Sequence, residues 1–544
     1  MPSYFYRDTT MLHQVIIEGI GIFSISLGKD FLCSGFLHAS LYLLLENLIC
    51  SSYQIRSVSD AVLHVLAAAC GHRTVGHLVV ANADYIIDSL CRQLRHLDLN
   101  PHVPNVLAAM LSYIGVAHQI LPLLEEPMRA VSLELEVLGR HQHPDLTIPF
   151  LKAVREIVKA SRNEACAMPN EAESFSLRVK SEVVEMIEWS RKNVKKSVIW
   201  HDSTSEMSSL ASEHWEEMLF KLNESRRYRR TVGSIVGSCL TAATPLLASV
   251  NDAASLVALD IVEEGIATLA KVEEAYRHEK ESKEAIGRAI EMCSFHDLQD
   301  AVDTTDEGAD ENRLLPAMNK IWPYLIHCLK YKILVATMRC LSVVSTVVQI
   351  CGGDFFSRRF HTDGAHFWKL LTTSPFQSRP ISKGGPILLP YRSTSTSSSE
   401  GSMAEVSCMK VQAAALNMIA DISRNKRSAS AFEVVLKKVS GLVVGIACSS
   451  VAGLHDASIN ALSGLACVDP DLIWLLLADV YYSLKKGIPS PPSADFAEVT
   501  QLLPPPSSSK DYLYVQYGGE SFGFDVDLSS AEVVFRKLQS KSVF

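Results

Sequence analysis

The sequence predicts an all-α protein, a HEAT/ARM-type α-solenoid of antiparallel helix pairs with a small β-hairpin near its C-terminus. Three observations predict it. Apolar residues recur at spacings of three and four along nearly the whole chain, the signature of helices with one buried face. The stretch from Asn312 to Cys351 shows that signature twice over. Leu314, Met318, Ile321, Leu325 and Leu329 form one stripe; Leu334, Met338, Leu341, Val344 and Val348 form another. Only a few residues around Tyr331 separate them, so the two helices fold back with their stripes facing. Pro316 sits in a first turn, where a missing N–H costs least, and Pro323 is expected to bend the helix interior. Finally, strand-like alternation is missing until the tail.

In chain order, apolar helices are expected over His13–Leu27, Gly35–Ile49 and Ser59–Cys70. Asn82 or Asp84 caps a helix bearing Ile86, Leu90, Leu94 and Leu97, which stops before Pro101. Val106–Ala117, Leu121–Leu138 and Leu146–Ala160 follow, then a more charged pair over Glu171–Lys196 and Ser208–Leu222 with KSVIWHDSTSEMSS as the loop between. Thr231–Val250 is a helix of small residues suited to close packing. Asp252 opens a helix whose stripe is Leu256, Leu259, Val262, Ile266, Leu269 and Val272; it runs out into AYRHEKESKEA, a solvated extension. After the central hairpin, GGDFFSRRFHTDGAHFWKLL begins at a Gly-Gly break. Helices resume over Met409–Ser423, Ala429–Ser449, His455–Ala466 and Asp471–Leu484. In the tail, YLYVQYGGESFGFDVD alternates about Gly518-Gly519 as a hairpin with Tyr512, Tyr514 and Tyr517 near its faces, and Ala531–Leu538 is a last short helix.

Composition sets the domain boundaries. The solenoid is expected over residues 1–373, a disordered Ser/Pro/Gly-rich loop over 374–407, more solenoid over 408–486, a Pro/Ser-rich linker over 487–511, and the hairpin with its helix over 512–544. Apolar residues make up 48% of the chain and charged residues 20%, enough for a continuous core and too apolar for global disorder. The net charge of −9 argues against wholesale binding to nucleic acid or an anionic membrane. Thirteen cysteines without a C-x-x-C pair fit a reducing compartment, cytosol or nucleus. The apolar runs from Phe31 and from Val439 read as core rather than membrane spans, the first because His38, Glu46 and Asn47 interrupt it. The first helix is apolar on more than one side (Ile16, Ile17, Ile20, Ile22, Phe23), so either a partner covers that end or the chain begins inside a longer array.

Three catalytic motifs are missing: there is no H-E-x-x-H, no phosphate loop and no G-x-G-x-x-G. No enzyme activity, cofactor or metal is therefore expected. His141, His143 and Asp145, or His361, Asp363 and His366, could begin a metal site, but neither assembles a closed ligand set. The sharpest charge feature is RRYRR, where Arg226, Arg227, Tyr228, Arg229 and Arg230 could grip phosphate or an acidic partner, or form a solvated turn between helices. Arg358 and Arg359 in SRRFH are a second candidate partner surface.

Several stretches carry a family resemblance: NADYIIDSLCRQLRHLDLNPHVPNVLAAMLSYIG, QILPLLEEPMRAVSLELEVLG, GGDFFSRRFHTDGAHFWKLL, DPDLIWLLLADVYYSL and the tail YLYVQYGGESFGFD. Together they resemble the Tel-two-interacting protein one family in its plant form, the HEAT-repeat subunit of the Triple T (TTT) co-chaperone complex. The resemblance implies a non-enzymatic scaffold. Its implied partners are the Tel-two protein, a second Tel-two-interacting protein, and the heat-shock chaperone with its RuvB-like ATPase adaptor. The implied clients are phosphatidylinositol-kinase-related kinases, TOR and the DNA-damage kinases, whose maturation and stability it would support in the cytoplasm and nucleus. Neither nucleic acid nor membrane is an expected partner. The likeness covers only the C-terminal part of the longer family members, which agrees with the bare apolar first helix. Two other classes fit less well: an importin-like nuclear-transport solenoid, and a metal hydrolase built on a histidine cluster.

Overall fold

The computed structural model describes residues 3–28, 30–31, 35–94, 102–125, 127–129, 144–194, 204–293, 313–331, 334–372, 399–449, 451–485, 515–517, 520–522, 526 and 528–540. Residues 374–398 of the loop expected over 374–407, the linker expected over 487–511, the histidines at 141 and 143, and Tyr512 and Tyr514 lie outside them, while residues 399–407 are helical rather than loop. The described chain is nearly all helical and forms two compact units, Met1–Lys320 and Ile321–Phe544. That division falls inside a helix rather than at any boundary suggested by composition.

In the first unit, α1 (Ser3–Leu27) packs on α3 (Tyr53–Ala69), and α2 (Phe36–Asn47) lies against the same helix. The α1–α3 contact is close because Gly21 faces Val62, where a Cβ would come within 3.1 Å of a methyl. α4 (Val75–Ala81) starts on Thr74, whose hydroxyl accepts from the His77 amide at 3.2 Å. α5 (Ala83–Leu94) is tied to α2 where Tyr42 donates to Gln93 at 2.7 Å. α6 (Val103–Ala108) widens into a π-turn over Ala109–Tyr113, and a helix over 117–125 follows.

Three long helices replace the expected string of short ones. α7 runs unbroken over Pro144–Val194, α8 over Thr204–Ala243 and α9 over Asp252–Cys293. At 51 residues α7 is about 75 Å long. The break expected between Ala160 and Glu171 is absent: Pro169 lies inside α7, and the loss of one backbone bond there is absorbed by the packing on either side. Helices of this length exceed the short helix pairs expected over this stretch. Contacts His214–Glu182 and Tyr228–Glu164 run α8 antiparallel to α7, while Arg155–Asp260 and Lys180–Glu281 run α9 parallel to α7. Val179, Val183, Trp215, Met218, Leu219, Leu222, Ile286 and Ile290 fill the space between them. At the other end, Gly265 of α9 meets α8 so closely that a Cβ would sit 2.7 Å from Leu240. The expected solvated extension of α9 is overturned by the same packing, since Ala275, Ala285 and Ile286 are buried.

In the second unit, α10 (Leu314–Tyr331), which carries Pro323 inside it, and α11 (Leu334–Cys351) form the expected hairpin. The Cys340 thiol donates to the Leu325 carbonyl at 3.5 Å and the Cys328 thiol to Ala336 at 4.0 Å, an antiparallel register. Gly352 has φ 95° and lets α12 (Gly353–Thr362) start at once in a new direction. α13 (Ala365–Thr372) follows, and α14 (Ser399–Arg424) begins well before the expected Met409. α15 (Leu436–Ala447), α16 (Ala452–Leu465) and α17 (Pro470–Lys485) stack in turn; α14 and α16 touch where Gly464 would place a Cβ 2.9 Å from the Ala420 carbonyl. Near the C-terminus β1 (Val515–Tyr517) pairs antiparallel with β2 (Glu520–Phe522). Three residues a side is marginal, so the hairpin does not amount to a β element of the architecture. α18 (Leu528–Ser540) packs on the last helices through Phe535 and Tyr481, ring centroids 5.8 Å apart.

Among the described residues, Thr9–Leu27, Glu213–Ala248 and Leu334–Cys351 are long and apolar enough to cross a membrane by length and composition. The apolar run from Phe31 holds α2, and the run from Val439 holds parts of α15 and α16; each of these helices is too short to span.

Candidate functional site

RRYRR lies inside α8, not in a turn, and this changes the meaning of each member. Arg226 and Arg229 are three residues apart and face inwards, while Arg227 is exposed and Tyr228 and Arg230 are half-buried. Arg229 donates from Nε to Glu279 of α9 at 2.7 Å, with 2% and 3% of the two side chains exposed. Its guanidinium lies 4.9 Å from the centre of the Tyr276 ring, and Ser225 donates to the second oxygen of Glu279 at 3.1 Å. Burial pushes the Glu279 carboxyl above its ordinary value, and Arg229 and Ser225 pull it back only in part. Tyr228 turns the other way and donates to Glu164 of α7 at 2.9 Å, with His118 against its ring at 4.3 Å. The segment is thus the clamp of the three-helix layer, and the expectation of a partner grip is corrected for Arg226 and Arg229. Sequence reasoning missed Glu164, Tyr276 and Glu279 because their role depends on a register that one sequence does not display.

SRRFH is different. It lies on α12, where Phe356 and Phe360 point into a cluster of rings: Trp322, Phe367, Trp368 and Phe432. Trp322 donates its indole N–H to Asp363 at 2.9 Å. That contact occupies one member of the suspected metal set His361, Asp363 and His366 in a structural role. Among the described residues no group of three or more potential ligands comes together. Arg359 lies back over Phe355, 3.8 Å from its ring centre, and donates to the Phe355 carbonyl at 2.7 Å. Burial pulls its guanidinium below its ordinary value. Arg358 alone of the pair is exposed.

α12 sits on the turn that follows α14. The Gly353 amide donates to the Arg427 carbonyl at 2.8 Å, Ser430 donates to Asp354 at 2.6 Å, and the rings of Phe360 and Phe432 stack at 5.5 Å. A Cβ at position 353 would meet Ser430 and the Ala431 amide within 2.5 Å, so only glycine allows this approach. The turn is braced from within: the Arg427 amide donates to Asn425 at 2.9 Å and buried Ser428 donates to the Ile422 carbonyl at 2.7 Å. The sequence reading passed over NKR and KK, yet Lys426, Arg427, Lys437 and Lys438 are all exposed.

The other unusual surface is on α1. Ile17, Gly21 and Ser24 form its narrow buried seam. Leu12, Val15, Ile16, Ile22, Phe23 and Ile25 are each more than half exposed.

Comparison with known proteins bears on these surfaces. Residues 41–132 match the family described as TELO2-interacting protein 1, and residues 149–474 match the TTI1 C-terminal TPR domain. The chain is 26% identical over 487 residues to the TELO2-interacting protein 1 homolog of Mus musculus, covering 88% of this chain and 39% of that protein. It is 24% identical over 497 residues to the Homo sapiens homolog, covering 87% and 40%. The chain thus spans about two fifths of the length of the curated relatives it matches. Among solved structures, Kap121p is similar at 10% identity and a TM-score of 0.23, over 93% of this chain and 49% of that one. A Kap95p–RanGDP structure is similar at 12% identity and a TM-score of 0.20, over 98% and 68%. Superpositions this loose carry no argument.

Proposed function

Because the chain belongs to the TELO2-interacting protein 1 family, we propose that it is a non-enzymatic scaffold that binds a TELO2-type partner within a TTT co-chaperone assembly. The observation that carries this reading is the family match over residues 149–474, which takes in the three-helix layer and most of the second unit. On this reading the chain works by binding alone. Its helices supply long, stiff faces, and broad modest contacts spread along them hold the partners. The partners are the TELO2-type protein, a second TELO2-interacting protein and the heat-shock chaperone with its RuvB-like ATPase adaptor. The clients are phosphatidylinositol-kinase-related kinases, TOR and the DNA-damage kinases, matured in the cytoplasm with the nucleus as a second location. The HEAT/ARM character of the array belongs to this reading too.

The surface supports a binding role. An apolar arc as long as that on α1 is rarely left bare in a soluble protein. The test is affinity purification of the tagged chain from cells of its source. Recovery of the TELO2-type protein together with a kinase of that class is expected; recovery of neither, with the bait folded and soluble, overturns the reading. No separate observation favours an importin-like function or a metal hydrolase.

A further inference from the structure

The net charge of −9 hides an uneven distribution. Residues 321–450 carry 15 Lys and Arg against 6 Asp and Glu, a net of +9 within an acidic chain. Much of that excess reaches the surface along one seam. The contacts Gly353–Arg427, Asp354–Ser430 and Phe360–Phe432 lay α12 against the turn that leads into α15. Arg358 stands one helical turn beyond Asp354 on that flank, and Lys426, Arg427, Lys437 and Lys438 come from the opposing turn and the start of α15; all five are exposed. Val434, between the two lysine-bearing ends, is 58% exposed.

We propose that this seam is a docking surface for an acidic, amphipathic protein segment: carboxylates facing the five cations, with an apolar side chain over Val434. It deepens the scaffold reading and rests on it, since it names the chemistry of one partner contact. Two features argue for a built surface rather than scattered charge. The Arg427 backbone is held on both sides, by Gly353 at its carbonyl and Asn425 at its amide, so the cations of this turn are presented by a fixed frame. The local acids are few: Asp354, which accepts from Ser430, and Glu433 are the exposed carboxylates within the seam, against five cations. Opposite charge on a partner would steer its approach and set its register.

A protein segment fits better than nucleic acid. The rings nearest the seam, Phe356, Phe360, Trp368 and Phe432, are buried in the core and offer no face on which a base could stack. Val434 alone is too small an apolar feature to enter a lipid surface.

The test uses the full chain and a short fluorescein-labelled helical peptide in which a glutamate stripe flanks a leucine stripe, read by anisotropy at low and high salt. Salt-sensitive binding is expected, weakened at least tenfold by the triple variant Arg358→Glu, Lys426→Glu, Arg427→Glu. Arg227→Glu, an exposed arginine elsewhere, is expected to leave it unchanged, and thermal melts confirm that both variants are folded. Peptide binding that the triple variant does not weaken overturns the proposal. So does stronger seam-dependent binding of a single-stranded oligonucleotide or of phosphatidylserine vesicles. If the TELO2-type protein is recovered from cells but the peptide does not bind, the scaffold reading stands and the seam falls. If the peptide binds through the seam while cells yield no such partner, the reverse holds.

Discussion

RRYRR and SRRFH look alike as text: arginines beside one aromatic ring, each on a helix. In the folded chain they do opposite things. In the first, the i, i+3 pair Arg226 and Arg229 lies on the face that α8 turns towards its neighbours, and the aromatic Tyr228 reaches to a side helix. In the second, the ring of Phe360 takes the inward place, and the arginine two residues before it points to water. What differs is the phase of the arginines relative to the buried stripe, not their number. Arginine density therefore marks a place where charge is concentrated, and the helix phase decides whether that charge clamps the fold or meets a partner.

The comparison breaks most visibly at Arg229. Arg229→Ala leaves Glu279 buried without its cation and is expected to cost about 3–5 kcal/mol in urea unfolding. Arg358→Ala in the same assay should cost less than about 0.5 kcal/mol, as an exposed substitution does. Equal losses at the two sites would end the distinction. Replacing the pair together, Arg229→Met with Glu279→Leu, removes both charges and should recover most of the loss, because a packed apolar pair can match a buried ion pair. A double variant as unstable as Arg229→Ala would mean that shape, not charge, is what the site requires.

Acidity sharpens the same point. The folded pKa of Glu279 is raised by burial, so the fold favours its protonated form. Its contribution to stability is full below the ordinary carboxylate range and is lost as pH climbs through the raised value. Arg229 pulls that value back down; without it the value rises further and the loss extends to higher pH. The gap between wild type and Arg229→Ala should accordingly be small near about pH 5 and widen towards about pH 8. A gap that stays constant with pH, or that widens towards acid, would show that Arg229 does not act on the Glu279 carboxylate. No such pH-dependent gap is expected for Arg358→Ala.

These two segments also show where a single sequence is legible. Helix content and the hairpin of α10 and α11 are readable because each helix buries one stripe, and a stripe is a property of the residues themselves. Helix length was not. A break is expected after Ala160 and a turn at RRYRR, yet α7 passes through Pro169 and α8 through RRYRR because packing along their length outweighs one lost backbone bond or a run of charge. The same holds for AYRHEKESKEA: it is polar enough to read as solvated, and Glu279 is buried only because Arg229 arrives from another helix. Arg358 was legible as a surface arginine, but the lysines that join it come from a turn more than sixty residues away, held by a glycine contact that leaves no trace in local spacing.

A smaller effect tests the ring cluster behind SRRFH. Asp363→Ala strips the acceptor from the Trp322 indole, a hydrogen bond of 2.9 Å at a half-buried carboxylate. A loss of about 1–2 kcal/mol is expected, the cost of one unsatisfied donor in a packed site. If His361 and His366 instead formed a metal site with Asp363, adding Zn²⁺ would raise the wild-type melting temperature, and the alanine variant would lose that response. The reading here is that zinc changes neither. The residue then belongs with Arg229: a polar side chain, conspicuous in the sequence, that the fold consumes to hold two elements together. On that view the six residues from Arg358 to Asp363 contain both kinds of site, and Arg358 is exposed because Asp363 and Phe360 already do the holding.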